Sequence, residues 1–245
     1  MSRIGGVGPG RQTGVLLAVA SSEPWRLVEC ALHKPVHSHV MSSSGADANQ
    51  DLPPGGALAR LVEALGSAGF RKGPPPVEKW NPAYCGEIDM RIAADGSWHY
   101  NGSPIARPAL VRLFSTILRK DPERYVLVTP VERVGIVVED APFIAVEMAV
   151  DGEGDARQIA FRTNVDDLVR VDADHPLRFE RDERGGLKPY LRVRGDLWAL
   201  VTRSLALDLV ELGEERDIGG RPVFALAAGG EVFSIAPASE LDPSA

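Results

Sequence analysis

The chain has 245 residues, 44% hydrophobic and 25% charged, with a formal net charge of −7. This is enough for one large or two small packed domains and excludes a wholly disordered chain. The acidic balance argues against bulk nucleic-acid binding, which runs on clustered Lys and Arg, but leaves room for a small anion in a local basic pocket.

Residues 1–54 read as a tail. Gly5-Gly6-Val7-Gly8-Pro9-Gly10 lacks the preceding strand and following helix of a phosphate loop. Val15 to Ala20 imitates a signal peptide, but its six apolar residues fall short of the roughly 7–15 required. His33, His37 and His39 lie close together without a fixed second shell, so no metal is expected there. Met41 opens a polar run, and translation is expected to start there; an intact native mass beginning at Met1 would overturn that. Only Cys30 and Cys85 are present, no disulfide framework, and no apolar run approaches the roughly 18 residues of a membrane span. A cytoplasmic protein with no membrane partner is expected.

Residues 55–79 are expected to form an N-terminal helix and a connector. Leu58, Leu61, Val62 and Leu65 predict the helix over Ala57–Ala64, and Gly73-Pro74-Pro75-Pro76 a stiff spacer. A first α+β half is expected over 80–165. Its opening hairpin follows from Ile88, Met90 and Ile92 alternating with Asp89 and Arg91. A three-residue loop with Gly96 left-handed pairs Ile92 with Trp98 and Met90 with Tyr100. That register buries the apolar set and leaves Asp89, Arg91, His99 and Asn101 on the other face.

A helix is predicted within Pro104–Lys120, started by Pro108, with Leu110, Leu113, Phe114, Ile117 and Leu118 as its stripe. Tyr125–Thr129 predicts a strand. Arg133–Glu139 and Phe143–Val150 predict a hairpin around Asp140-Ala141-Pro142, and Gln158–Thr163 a further strand.

The second half is expected over 166–245. Leu177–Arg181 and Tyr190–Val193 predict strands, Leu197–Ser204 a helix and Ala206–Leu212 a strand. Arg221–Ala227 and Glu231–Ala236 predict a closing hairpin. Both halves thus read strand, turn, strand, helix, strand, hairpin, and the expected fold class is α+β with an internal duplication.

For chemistry, Cys85 would need a histidine base with its own orienting group, and no G-x-S-x-G, H-E-x-x-H or Walker motif occurs. Asp151-Gly152-Glu153-Gly154-Asp155 lacks the later glycine and glutamate of a calcium loop. No cofactor, metal site or catalytic residue is therefore assigned. The set able to hold an anionic ligand is Asp89, Arg91, Arg112, Arg162, Thr163 and Asn164, with Asp166 nearby. Guanidinium groups can bind phosphate or carboxylate bidentately, and the polar side chains can orient the remainder.

Several motifs together carry a resemblance: Cys85-Gly86-Glu87-Ile88-Asp89-Met90-Arg91-Ile92, Gly102-Ser103-Pro104-Ile105, Leu110-Val111-Arg112-Leu113-Phe114-Ser115, Val128-Thr129-Pro130-Val131-Glu132, Val138-Glu139-Asp140-Ala141-Pro142-Phe143 and Phe161-Arg162-Thr163-Asn164. The chain from about Trp80 to Ile235 resembles domain-of-unknown-function family 1285; Glu87 stands where aspartate would be expected. The resemblance implies a duplicated core and a second half superficially like a pleckstrin-homology domain. It also implies a pocket between the halves, a nucleotide-like ligand and a role in signal transduction. It brings no catalytic residues. The resulting expectation is a ligand-binding regulatory protein with a possible signalling protein partner. The rivals are a protein-interaction adaptor, and a hydrolase or transferase with Asp89 or Glu132 as general base.

Overall fold

The computed structural model describes residues 75–238. The tail, the helix predicted over 57–64, the histidine tract and the Met41 start lie outside the described residues.

β1 (Tyr84–Ile92), β2 (Trp98–Tyr100) and β3 (Ser103–Pro104) form an antiparallel meander. The register is the expected one, with Met90 opposite Tyr100 and Ile92 opposite Trp98. Met90, Ile92 and Trp98 are buried, and Trp98 stacks on Phe114 at 6.4 Å between centroids. α1 (Pro108–Thr116) follows, with Pro108 in its first turn. It ends earlier than the apolar stripe suggests. Ser115 and Thr116 hydroxyls donate back to the carbonyls of Arg112 and Leu113, both at 2.7 Å, and Leu118–Lys120 leaves the helix as strand β4. β5 (Tyr125–Val128) and β6 (Arg133–Val138) complete a second meander.

β6 runs parallel to β1, which fuses the two meanders into one sheet of order β3-β2-β1-β6-β5-β4. The next six strands repeat that topology. They are β7 (Phe143–Asp151), β8 (Gln158–Thr163), β9 (Leu168–Arg170), β10 (Leu177–Arg181), β11 (Leu187–Arg194) and β12 (Leu197–Val201). They form a sheet of order β10-β11-β12-β7-β8-β9, again closed by a parallel pair, β12 on β7. α2 (Arg203–Glu211) leads to a third, three-stranded sheet of β13 (Glu214–Asp217), β14 (Pro222–Ala228) and β15 (Glu231–Pro237), with β15 against β10. The architecture is α+β, mostly β, with a duplicated six-stranded unit.

Two sequence expectations are corrected. Arg133–Glu139 and Phe143–Val150 do not pair as a hairpin: β6 lies in the first sheet and β7 in the second. Glu139 N–H still bonds Ile92 carbonyl at 3.0 Å, continuing β6 along β1. The Asp140 carboxylate, by contrast, is held by Lys188 and by Tyr190 Oη at 2.7 Å, both on β11. The chain therefore crosses between sheets at 139–142, and β7 and β8 pair in the second sheet and not with β1–β6. The other correction concerns Leu197–Leu212. Its first part is a strand, because Leu197, Ala199 and Val201 alternate inward. Its second part is helix α2, burying Ala206 and Leu209. Short apolar runs fit either period until a neighbouring strand selects one, and β7 selects the strand here.

One contiguous core joins the halves. Arg119, buried on β4, bonds the carbonyls of Val77 at 2.8 Å and Trp80 at 2.7 Å and thereby places Pro75 at the edge of the cleft described next. No helix among the described residues is long and apolar enough to cross a membrane.

Candidate functional site

The polar residues singled out from the sequence separate into two groups. Arg112, on α1, and Arg162, on β8, both reach the Asp166 carboxylate; the Arg162 contact measures 2.8 Å. Arg162 also grips Glu147 on β7, with Nε 2.8 Å from Oε2. That pairing holds the Glu147 carboxyl below its usual range, and Glu147, then Asp166, raise Arg162 in turn. Asp166 has a positive φ of 67°, uncommon for a residue other than glycine. The turn that imposes it is organised by Thr163, which is buried. Its hydroxyl accepts N–H bonds from Val165 at 3.3 Å and Asp167 at 3.1 Å. Asn164 bridges the halves: Oδ1 accepts Ile144 N–H of its own half at 3.0 Å, and Nδ2 donates to Gly96 carbonyl of the other at 3.4 Å.

Asp89 and Arg91 share none of these contacts. Arg91 donates to Glu139 at 2.6 Å, and Glu139 also accepts Ala94 N–H at 2.9 Å, which braces the first hairpin. Asp89 is exposed, and its carbonyl accepts Asn101 N–H at 2.9 Å. On the same hairpin Asp95, Ser97 and His99 line up in a row. Ser97 Oγ donates to Asp95 at 2.6 Å and lies 3.0 Å from His99 Nε2. The hydroxyl proton is committed to Asp95, so His99 donates to the serine oxygen instead of taking its proton, the reverse of an activated serine. Among the described residues no group of three or more His, Cys, Asp or Glu could hold a metal ion.

Beside the Arg112–Asp166–Arg162 cluster, an open cleft of about 870 Å³ runs between α1 and the second sheet. Leu113 and Thr116 line it from the first half, and Val169 and Val193 from the second. Arg194 ties the walls together. It donates to Asp167 and to Ser115 carbonyl, both at 2.6 Å, and its guanidinium lies 5.0 Å from the Phe143 ring centroid. Ser115 lies in the last turn of α1, where carbonyls lack helical partners and a cation is favourable. His175 also lines the cleft. Its Nδ1–H donates to Arg192 carbonyl at 3.1 Å, so that in a neutral ring Nε2 is the acceptor. Arg170 lines the cleft as well and makes no ion pair among the described residues. Sequence reasoning did not select Arg170, Arg194 or His175 for a site. Each lies on a different segment, and no local spacing connects them.

Two family models match the chain in tandem, together over residues 75–235. One is described as domain of unknown function (DUF1285), N-terminal domain, over residues 75–141; the other as protein of unknown function (DUF1285), C-terminal domain, over 142–235. Their junction coincides with the crossing between the sheets. The crystal structure of a DUF1285 family protein from Silicibacter pomeroyi DSS-3 is 44% identical. The match covers 74% of this chain and 97% of that one, with a TM-score of 0.67. A second, from Shewanella baltica OS155, is 26% identical over 51% of this chain and 91% of that one, with a TM-score of 0.42. No curated protein matches significantly.

Proposed function

This chain belongs to the DUF1285 family, and from that premise we propose that it binds a small anionic, nucleotide-like ligand in the cleft between its halves and acts in regulation or signal transduction. The observation that carries the reading is a cleft with walls from both halves and, on its rim, Arg170, whose charge no carboxylate among the described residues neutralises. Pockets between packed units, apolar with a few convergent polar groups, are common ligand sites.

In this reading Leu113, Val169 and Val193 take the apolar body of the ligand, Arg170 takes its anionic group, and His175 Nε2 accepts a donor from it. Arg112 and Arg162, held by Asp166 and Glu147, form a polar rim beside the turn arranged by Thr163 and Asn164. Asp89 and Arg91 act at one remove, by shaping the hairpin whose loop meets Asn164. The second half supplies most of the cleft as a pleckstrin-homology-like scaffold. Because the two walls belong to different halves, occupancy changes their coupling, which suits a cytoplasmic sensor.

Thermal unfolding of the full chain against a panel of nucleotides and signalling anions tests this. A ligand at 100 times its dissociation constant adds roughly 2.7 kcal/mol, several degrees for this size. The shift should disappear in Arg170→Ala and persist in Arg91→Ala. A flat panel on folded protein would overturn the proposal.

A further inference from the structure

β9 is an outer strand of the second sheet, and Asp167, Leu168, Val169 and Arg170 all line the cleft. Its pairing with β8 determines which main-chain groups face outward. Val171 N–H donates to Ile159 carbonyl at 2.8 Å, Thr163 N–H donates to Asp167 carbonyl at 2.9 Å, and Phe161 stands opposite Val169. In an antiparallel ladder, hydrogen-bonded and non-hydrogen-bonded pairs alternate. Arg162 opposite Leu168 and Ala160 opposite Arg170 are therefore the non-bonded pairs. The N–H and C=O of Leu168 and Arg170 point away from β8, and none of the four has a partner among the described residues.

The side chains on this edge are uncommitted too. Leu168 is 79% exposed, the most exposed large hydrophobic residue described. Arg170, two positions on and hence on the same face, has no ion pair among the described residues. The neighbouring carboxylates are engaged: Asp166 by Arg112 and Arg162, Asp167 by Arg194, and Asp172 by the N–H groups of Asp174 and His175. The edge thus presents four free main-chain groups, an apolar contact and a positive charge in period-two spacing. A second copy of β9 carries Leu168, Val169 and Arg170 and brings no carboxylate to Arg170.

We propose that β9 is a docking edge for an extended segment of a partner protein, which joins the sheet as an added strand and places an apolar residue by Leu168 and an acidic residue, two positions away, by Arg170. The inference goes beyond the cleft-ligand reading and does not depend on it.

The test is fluorescence anisotropy of the full chain with a labelled peptide, Thr-Val-Glu-Thr-Leu-Thr-Glu-Val-Thr, which reads the same in either strand direction. Saturable binding is expected. Exchanging both glutamates for lysine should weaken it about fivefold, and Arg170→Glu should reverse that preference. N-methylation of one alternate set of peptide amides should weaken binding about tenfold or more, and of the other set hardly at all, because only one set faces β9. No saturable binding, or binding indifferent to charge and to N-methylation, overturns the proposal. So does a concentration-dependent dimer that Arg170→Glu dissociates, which would give the edge to a second copy. A flat peptide titration beside a responsive anion panel overturns this inference alone.

Discussion

Asp166 is bracketed by guanidinium groups from both halves, Arg112 on α1 and Arg162 on β8, and Arg162 is shared with Glu147. Exposed pairs of this kind contribute little stability but fix geometry at the cleft rim. The Glu147 carboxyl, held low by Arg162, contributes above its unfolded-state pKa and loses that contribution as pH falls through the lower folded value. Carbon-detected NMR titration should place the Glu147 midpoint below that of an unpaired glutamate, and Arg162→Gln should return it to the usual range. Asn164 has a different task. Its amide joins Ile144 of one half to the Gly96 loop of the other. Asn164→Ala should cost about 1–3 kcal/mol in urea unfolding, since it strips partners from main-chain groups at the junction. The residue types of Thr163, Asn164 and Arg162 were legible as polar groups able to hydrogen-bond; that so many of those bonds run to protein atoms follows from neighbours distant in the chain.

At the scale of elements, the first hairpin was readable because its pattern and its turn agree. Alternation selects the face, and Gly96, at φ +80°, supplies the left-handed residue the loop requires. Gly96 also sits against the second half: a Cβ there would lie 2.6 Å from Ile144 Cγ1 and 2.8 Å from Asn164 Nδ2. Gly96→Ala should therefore cost about 2–4 kcal/mol, strain and overpacking together. Gly102→Ala is the internal control, with a similar φ of +75° and nothing within 4 Å of the new carbon. It should cost only about 1 kcal/mol. Equal losses in urea unfolding would refute the docking contribution. Residues 197–212 show where element reading fails. Leu197, Ala199 and Val201 alternate over too short a run to outvote the helical spacing that follows, and only β7 alongside makes them a strand.

On the scale of the whole molecule, each six-stranded sheet is two meanders closed by a parallel pair, β1 on β6 and β12 on β7. Arg194 to Ser115, Asn164 to Gly96 and Lys188 to Asp140 then fasten the two units over a continuous core. Unfolding should accordingly be one transition. Trp98 reports on the first unit and Trp198 on the second, so variants retaining either as the sole tryptophan should give coincident urea midpoints. Separate midpoints would show that the halves are independent, and would remove the basis for signalling through the cleft between them.

Local order was in the sequence: the hairpin register, most strand positions and the family motifs all rest on residues close together in the chain, whereas the repeat that the structure shows, β1–β6 against β7–β12, starts its second copy at Phe143 and not at Leu177 as the order of elements suggested. The parallel pairings, the crossing at 139–142 and the cleft do not rest on such neighbours. Each depends on strands brought together across long loops, where the hydrophobic pattern says that a strand is buried but not which strand lies beside it. Arg170 shows the difference. Its sequence neighbours make it an ordinary strand residue, and only the tertiary structure sets it both on the outer strand of a sheet and at the rim of a cleft walled by α1.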